Sequence, residues 1–265
     1  MGYSSDNGDE NPGRSNSMFD NANDTKITGG QFNEAGKNLI INNYNETHYD
    51  LGPFLEWLAP KAKSFVDHLT DSKDMKPESE PEWILDDSKY QAWKADGKIL
   101  CIQGPDDSDK TSLIVRIIQD LQQVEDDPTL VIYYYFDNND DSGPNSSFRG
   151  LLISFLVQIG FQDGRIHPEL EPLYESSKDT SSDDSSPDND DLKKTLNDIT
   201  TDLIGKGCKV YMVIDALDKC EDHEEVQEFC KDMADMNVGI AVSSDVIALH
   251  LHFNQLELKI QPQAF

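Results

Sequence analysis

Basic residues are scarce in this chain. Lysine and arginine together number 22 against 51 aspartates and glutamates, for a formal net charge of −29 over 265 residues. A field of that sign repels phosphodiester backbones and anionic membrane faces, so neither nucleic acid nor a membrane is expected as a partner. The acidity reads as a solvated exterior, and it leaves a basic protein partner open. Cysteine is sparse too. The four, Cys101, Cys208, Cys220 and Cys230, form no C-x-x-C pair, which argues against a zinc ribbon or a dithiol redox centre. They read as small buried hydrophobes in a reducing compartment. Long apolar runs are missing: none reaches the ~18 residues a membrane-spanning helix needs. The amino terminus is polar and acidic, unlike a signal peptide. These absences lead to the expectation of a cytoplasmic protein. The apolar fraction is 37%, low for a chain that is globular throughout. A core of roughly 150–170 residues, with polar extensions, is expected.

The extensions are visible along the chain. Residues 1–25 are rich in Ser, Asn, Asp and Gly and cannot bury a core, so they are expected to be a disordered leader. Residues 26–49 hold two short β-prone runs joined by a Gly-containing turn. They read either as a marginal hairpin or, being Asn-rich and poor in charge, as a self-templating strand pair through which residues 26–45 self-associate. Residues 50–97 form a helical lead-in and linker. Leu51, Phe54, Leu55, Leu58, Ala62, Phe65, Val66 and Leu69 recur at helical spacing, Pro60 should kink or split that helix, and a short helix is expected over 83–93.

From residue 98 to 265 strand and helix patterns alternate. Strands are expected at 98–103, 129–136, 210–214, 238–243 and 256–260, with helices at 110–123, 148–159, 192–204 and 223–233. Residues 129–136 are apolar and aromatic almost throughout, the signature of a strand buried on both faces. The acidic low-complexity run 175–191 reads as a disordered insertion; Ser181, Ser182 and Ser185 within it are either phosphorylation sites or plain solvated loop. Alternation of this kind implies an α/β fold, a mainly parallel sheet with helices on both faces.

One segment specifies the sheet further. Gly104-Pro-Asp-Asp-Ser-Asp109-Lys110-Thr111-Ser112 follows a strand and opens an amphipathic helix. It keeps the phosphate-loop frame G-x-x-x-x-G-K-[ST], except that Asp109 replaces the last glycine. Such a loop wraps backbone N–H groups and one lysine around a phosphate chain, while the Ser/Thr hydroxyl binds Mg²⁺. Gly104, Asp109, Lys110, Thr111 and Ser112 are therefore the candidate nucleotide-binding residues. Asp215, at the end of a second apolar strand 105 positions after Lys110, fits the acidic residue that holds Mg²⁺; Thr111 and Asp215 form the candidate metal pair. Together they indicate a P-loop NTPase-like sheet that takes Mg-ATP or Mg-GTP weakly or not at all. Lys110 could alternatively be an ordinary exposed lysine at a helix start.

Residues 83–93 (WILDDSKYQAW), then 97–104 (GKILCIQG), resemble the entry to the fungal NACHT-type, nephrocystin-3-like signalling NTPases. Val213-Ile-Asp215-Ala-Leu-Asp218-Lys219-Cys220 is similar to their Walker B motif, usually written with Asp-Glu-Cys at its end. Residues 241–245 resemble their next strand, which usually ends in Ser-Arg, and the leader around residues 19–44 is similar to theirs. The resemblance covers most of residues 18–260. It implies that Lys110 and Thr111 are the phosphate and Mg²⁺ residues, that Asp215 is the Mg²⁺ aspartate, and that Asp218 is a catalytic acid near the attacking water. It also exposes departures: Lys219 stands at the place of the catalytic glutamate and Asp245 at that of the sensing arginine. Asp218 and Lys219 could equally belong to a solvated strand-to-helix turn.

These departures weigh against hydrolysis. A carboxylate ~5 Å from a phosphate charge costs roughly 3 kcal/mol at an effective dielectric of 20, about two decades of affinity. Lysine cannot orient or deprotonate water as a carboxylate does, and a lost arginine removes a large electrostatic contribution to phosphoryl transfer. The expectation is a degenerate nucleotide-binding module acting in protein interaction or signalling assembly. The alternatives are a weakly active ATP/GTP switch and an adaptor working through the N-terminal β-motif. The family normally continues into helical and winged-helix parts and repeats, so the chain is expected to be either a fragment or a short stand-alone relative.

Overall fold

Alternate residues of each central strand feed two different hydrophobic clusters, one on either face of a sheet. Ile99, Cys101, Leu130, Ile132, Tyr134, Val210, Met212, Ile214, Ile240 and Val242 go to one face. Leu100, Ile102, Val131, Tyr135, Tyr211, Val213 and Ala241 go to the other. A strand that is buried on both faces has no polar side, which is why these segments read as continuous apolar runs. The computed structural model describes residues 51–58, 81–96, 98–105, 108–123, 128–137, 144–162, 165–177, 186–245 and 255–259. The leader, the β-prone motif, residues 59–80 and Ser181, Ser182 and Ser185 lie outside the described residues.

The strands are β1 (Ile99–Gln103), β2 (Thr129–Tyr135), β3 (Phe161–Gln162), β4 (Arg165–Ile166), β5 (Lys209–Asp215), β6 (Gly239–Ser244) and β7 (Gln255–Lys259). Five of them make the main sheet in the order β2-β5-β6-β1-β7, with every adjacent pair parallel. The helices are α1 (Leu51–Leu58), α2 (Ser88–Asp96), α3 (Lys110–Gln122), α4 (Phe148–Gly160), α5 (Glu171–Ser176), α6 (Asn189–Gly205) and α7 (His223–Asp235). α2 and α3 pack on one face; α1, α4, α6 and α7 pack on the other. The fold is the expected α/β class, a parallel sheet with helices on both faces.

α4 lies in the middle of its layer, and all but Arg149 of its residues are buried. Its Gln158 offers the β2 backbone a substitute strand: the side-chain amide donates to Tyr133 O at 2.8 Å and its oxygen accepts from Tyr133 N–H at 3.1 Å. β2 is a sheet edge, and pairing its exposed amide and carbonyl this way blunts an edge that would otherwise invite another strand. α1 is described over Leu51–Leu58; Pro60, expected to kink or split that helix, lies outside the described residues.

The acidic insertion is shorter than its composition suggests. Asn189–Asp191, expected within the disordered run 175–191, form the first turn of α6, because Asp188 accepts hydrogen bonds from the N–H groups of Asp190 and Asp191, each at 2.9 Å. Acidic residues in a first turn also suit the positive end of the helix dipole. At the other border Glu175 and Ser176 belong to α5. That helix and the β3–β4 hairpin were not expected at all.

All four cysteines are free thiols, and three of them are buried. Burial pushes the Cys220 thiol up to about 12, so it is inert at neutral pH. Among the described residues no helix is long and apolar enough to cross a membrane.

Candidate functional site

In a parallel sheet the crevice outside the carboxyl ends of the strands is where loops converge. β1 is buried along its whole length and delivers Gly104 to that edge, where the Gly104 N–H donates to Ser244 O at 3.4 Å and carries the β1–β6 ladder one residue into the loop. Ser108 closes a turn on Pro105 O, through its N–H at 3.0 Å and its hydroxyl at 2.6 Å. Asp109 then takes φ 50° and ψ 43°, a left-handed conformation, and gives no side-chain cap to α3. Glycine adopts this conformation freely, whereas an L-residue accepts about 1–2 kcal/mol of steric cost, with aspartate among the more tolerant. Of the three loop carboxylates, Asp106 and Asp107 lie outside the described residues.

The two residues expected to hold a metal, Thr111 and Asp215, lie together. Thr111, exposed in the first turn of α3, donates its hydroxyl to Asp215 Oδ2 at 2.7 Å across 104 residues of sequence. The other Asp215 oxygen accepts a short hydrogen bond from the Ser243 hydroxyl, and Ser243 Oγ in turn accepts from the Ala216 N–H at 2.9 Å. Ala216 has φ 56°, a second strained left-handed residue beside the site. Asp215 is only 3% exposed. Burial raises its carboxyl above the ordinary 3.8, against the lowering pull of the Ser243 and Thr111 hydroxyls, the Ala216 N–H and the Lys110 charge. A carboxylate and a hydroxyl so placed are hard oxygen donors suited to Mg²⁺, which usually takes one or two protein oxygens and completes its shell with water and phosphate. Among the described residues no cluster of three or more His, Cys, Asp or Glu could hold a metal by itself.

The phosphate half differs. Lys110 is buried rather than exposed. Its ammonium donates to Gly104 O at 2.7 Å, to Pro105 O at 2.8 Å and to Asp245 Oδ1 at 3.0 Å. Asp218, on the 3-10 turn Leu217–Lys219, accepts the Asp245 N–H on Oδ1 at 3.1 Å, and its Oδ2 lies 3.5 Å from Lys219 Nζ. Ser112 is buried within α3. The expected site residues Gly104, Asp109, Lys110, Thr111, Asp215 and Asp218 thus gather at one edge of the sheet, and the two divergent residues Lys219 and Asp245 gather with them.

Two residues of the site escaped the sequence reading. Ser243 anchors Asp215, and Ser244 has a fully buried hydroxyl with no partner among the described residues. Their signal was two consecutive hydroxyls at the end of an apolar strand, where one of them must face the edge of a neighbouring strand.

The model of the family described as Nephrocystin 3, N-terminal, matches residues 80–244, more than half of the chain. No curated protein sequence matches it. Several solved structures resemble it, these two among them. One is that of Drosophila ORC bound to DNA, with 11% identity and a TM-score of 0.34, covering 78% of this chain and 44% of that one. The other is C. elegans PCH-2, with 12% identity and a TM-score of 0.33, covering 93% and 56%. The chain therefore spans about half the length of these structures.

Proposed function

Because the chain belongs to the nephrocystin 3 N-terminal family, we propose that residues 98–265 form a degenerate nucleotide-binding module of NACHT-like type. It works in protein interaction or signalling assembly without efficient NTP hydrolysis. The observation that carries this reading is the contrast between two groups of side chains at one sheet edge. Thr111 and Asp215 keep the Mg²⁺ outline, whereas the position of the catalytic glutamate is held by Lys219, whose ammonium lies 3.5 Å from Asp218. Mg²⁺, when bound with a nucleotide, would be held by Thr111 and Asp215 and would neutralise phosphate charge. Lys110 and the first turn of α3 supply the remaining positive field. A lysine at 219 is a cation in place of a base, so that side chain cannot take a proton from water. The net charge of −29 turns the search for partners towards proteins and away from nucleic acid.

Isothermal titration of the whole chain with Mg-ATP and Mg-GTP, alongside a phosphate-release assay, tests this. The expected result is binding weaker than micromolar and no release above the blank. Micromolar binding with steady turnover would instead establish the second reading, a slow ATP/GTP switch, which the intact Thr111–Asp215 bond favours.

A further inference from the structure

A lysine ammonium has three N–H donors and no acceptor. At Lys110 three acceptors lie within hydrogen-bond distance, all of them from the chain itself: the carbonyls of Gly104 and Pro105 and the carboxylate of Asp245. The ammonium is nearly enclosed, with side-chain exposure of 10%, while Asp245 is 33% exposed. Of these three acceptors the two carbonyls are neutral, and Asp245 supplies the opposite charge in direct contact. It does so from 135 positions away in sequence, delivered by β6, which pairs directly with β1. Its own backbone is fixed, since its N–H is held by Asp218.

We propose that Asp245 is the internal counter-anion of the phosphate loop, the residue that sets how strongly this site discriminates against polyphosphates. The proposal rests on the reading of the site as a nucleotide-binding outline. The carboxylate takes the place at Lys110 that a phosphate oxygen would need, so a nucleoside di- or triphosphate enters only by displacing it. If the ion pair is formed about nine-tenths of the time, apparent affinity falls about tenfold, because only the unpaired fraction is competent to bind. Asp245 and Asp109 then act separately. Asp109 sets backbone strain and charge at the helix start, and Asp245 sets the availability of the ammonium. Displacing Asp245 also loads the Leu217–Lys219 turn, through the bond from its N–H to Asp218. The loop's occupancy is thereby linked to the turn that follows β5.

The experiment titrates Mg-ATP and, separately, Mg-pyrophosphate into the whole chain and its variants. Asp245→Asn keeps the shape and the main-chain bond to Asp218 while removing the charge. Asp245→Ala is carried in parallel in case the amide disturbs folding, with thermal melts as the check. Asp109→Gly is the companion. The expected result is that either Asp245 variant binds both probes at least about tenfold more tightly than the parent, independently of Asp109→Gly. Unchanged binding in both Asp245 variants, with a gain in Asp109→Gly, would overturn the role of Asp245 and leave the nucleotide-binding reading standing. Absence of binding in every variant and in the double change would overturn both.

Discussion

The two halves of the site start from adjacent residues of α3, Lys110 and Thr111, and are built from opposite materials. In the Thr111–Asp215–Ser243 half neutral hydroxyls meet one carboxylate; Asp215 and Ser243 are buried, Thr111 is exposed, and the group runs across the ends of three neighbouring elements. The Lys110–Asp245–Asp218–Lys219 half is partly exposed and consists of alternating charges that satisfy one another. The first holds a carboxylate in an environment that disfavours its ionised form. That cost is characteristic of a group placed for a cation rather than for stability. The second has no such cost: every charge in it has found an internal partner. The difference teaches that neighbouring positions of one helix can enter networks of opposite character, one built on hydroxyls around a buried carboxylate and one on paired charges.

The sharpest way to break that comparison is at Asp215. A carboxyl whose folded pKa lies above its unfolded value binds its proton more tightly when folded. Its contribution to stability is then full below about pH 4 and lost as pH rises through the folded pKa, leaving a standing cost at neutral pH. Asp215→Asn should therefore abolish the Mg²⁺ dependence of any nucleotide binding. It should also raise the denaturation midpoint at pH 7 and flatten the decline between acid and neutral pH, as read by urea titration across that range. A midpoint that falls at pH 7 would make Asp215 a structural residue. Next in size, Asp109→Gly should tighten Mg-ATP binding at least about tenfold, or about 1.4 kcal/mol, measured by titration calorimetry. No gain would mean that the loop is not shaped for phosphate.

Ser243→Ala tests whether the buried half is cooperative. It removes an acceptor from the Ala216 N–H and one of the donors to Asp215, so a loss of about 1–2 kcal/mol is expected in chemical denaturation. The smallest effect belongs to Lys219→Ala. Lys219 is 41% exposed and 3.5 Å from Asp218, and a pair like that is worth no more than about 0.5 kcal/mol. A larger loss would show that the charged half is also structural.

Much of this was legible before the structure. The apolar runs of β1, β2, β5 and β6 and the 3.6-residue spacing in α3 and α7 lie in windows of a few residues, where burial on both faces or on one face leaves a direct mark. The loop motif and Asp215 carry their chemistry locally in the same way. The β3–β4 hairpin and α5 were not legible. Two-residue strands and a six-residue helix are too short for any period to emerge. Nor could composition show that Asp188 would cap α6 and turn the last acidic residues of the insertion into helix.

By itself the sequence determined the fold class, the phosphate-loop frame and the list of residues that depart from it, because each is written in a contiguous stretch. The tertiary structure decided what those departures do to one another. Asp245 reads in sequence as a missing arginine, and only the pairing of β6 with β1 puts its carboxylate on Lys110. Lys219 reads as a missing base, and only the turn after β5 gives it Asp218. The physical reason is that hydrophobic period is a property of neighbours along the chain. The partner of a charge is a property of neighbours in space, fixed here by strand order.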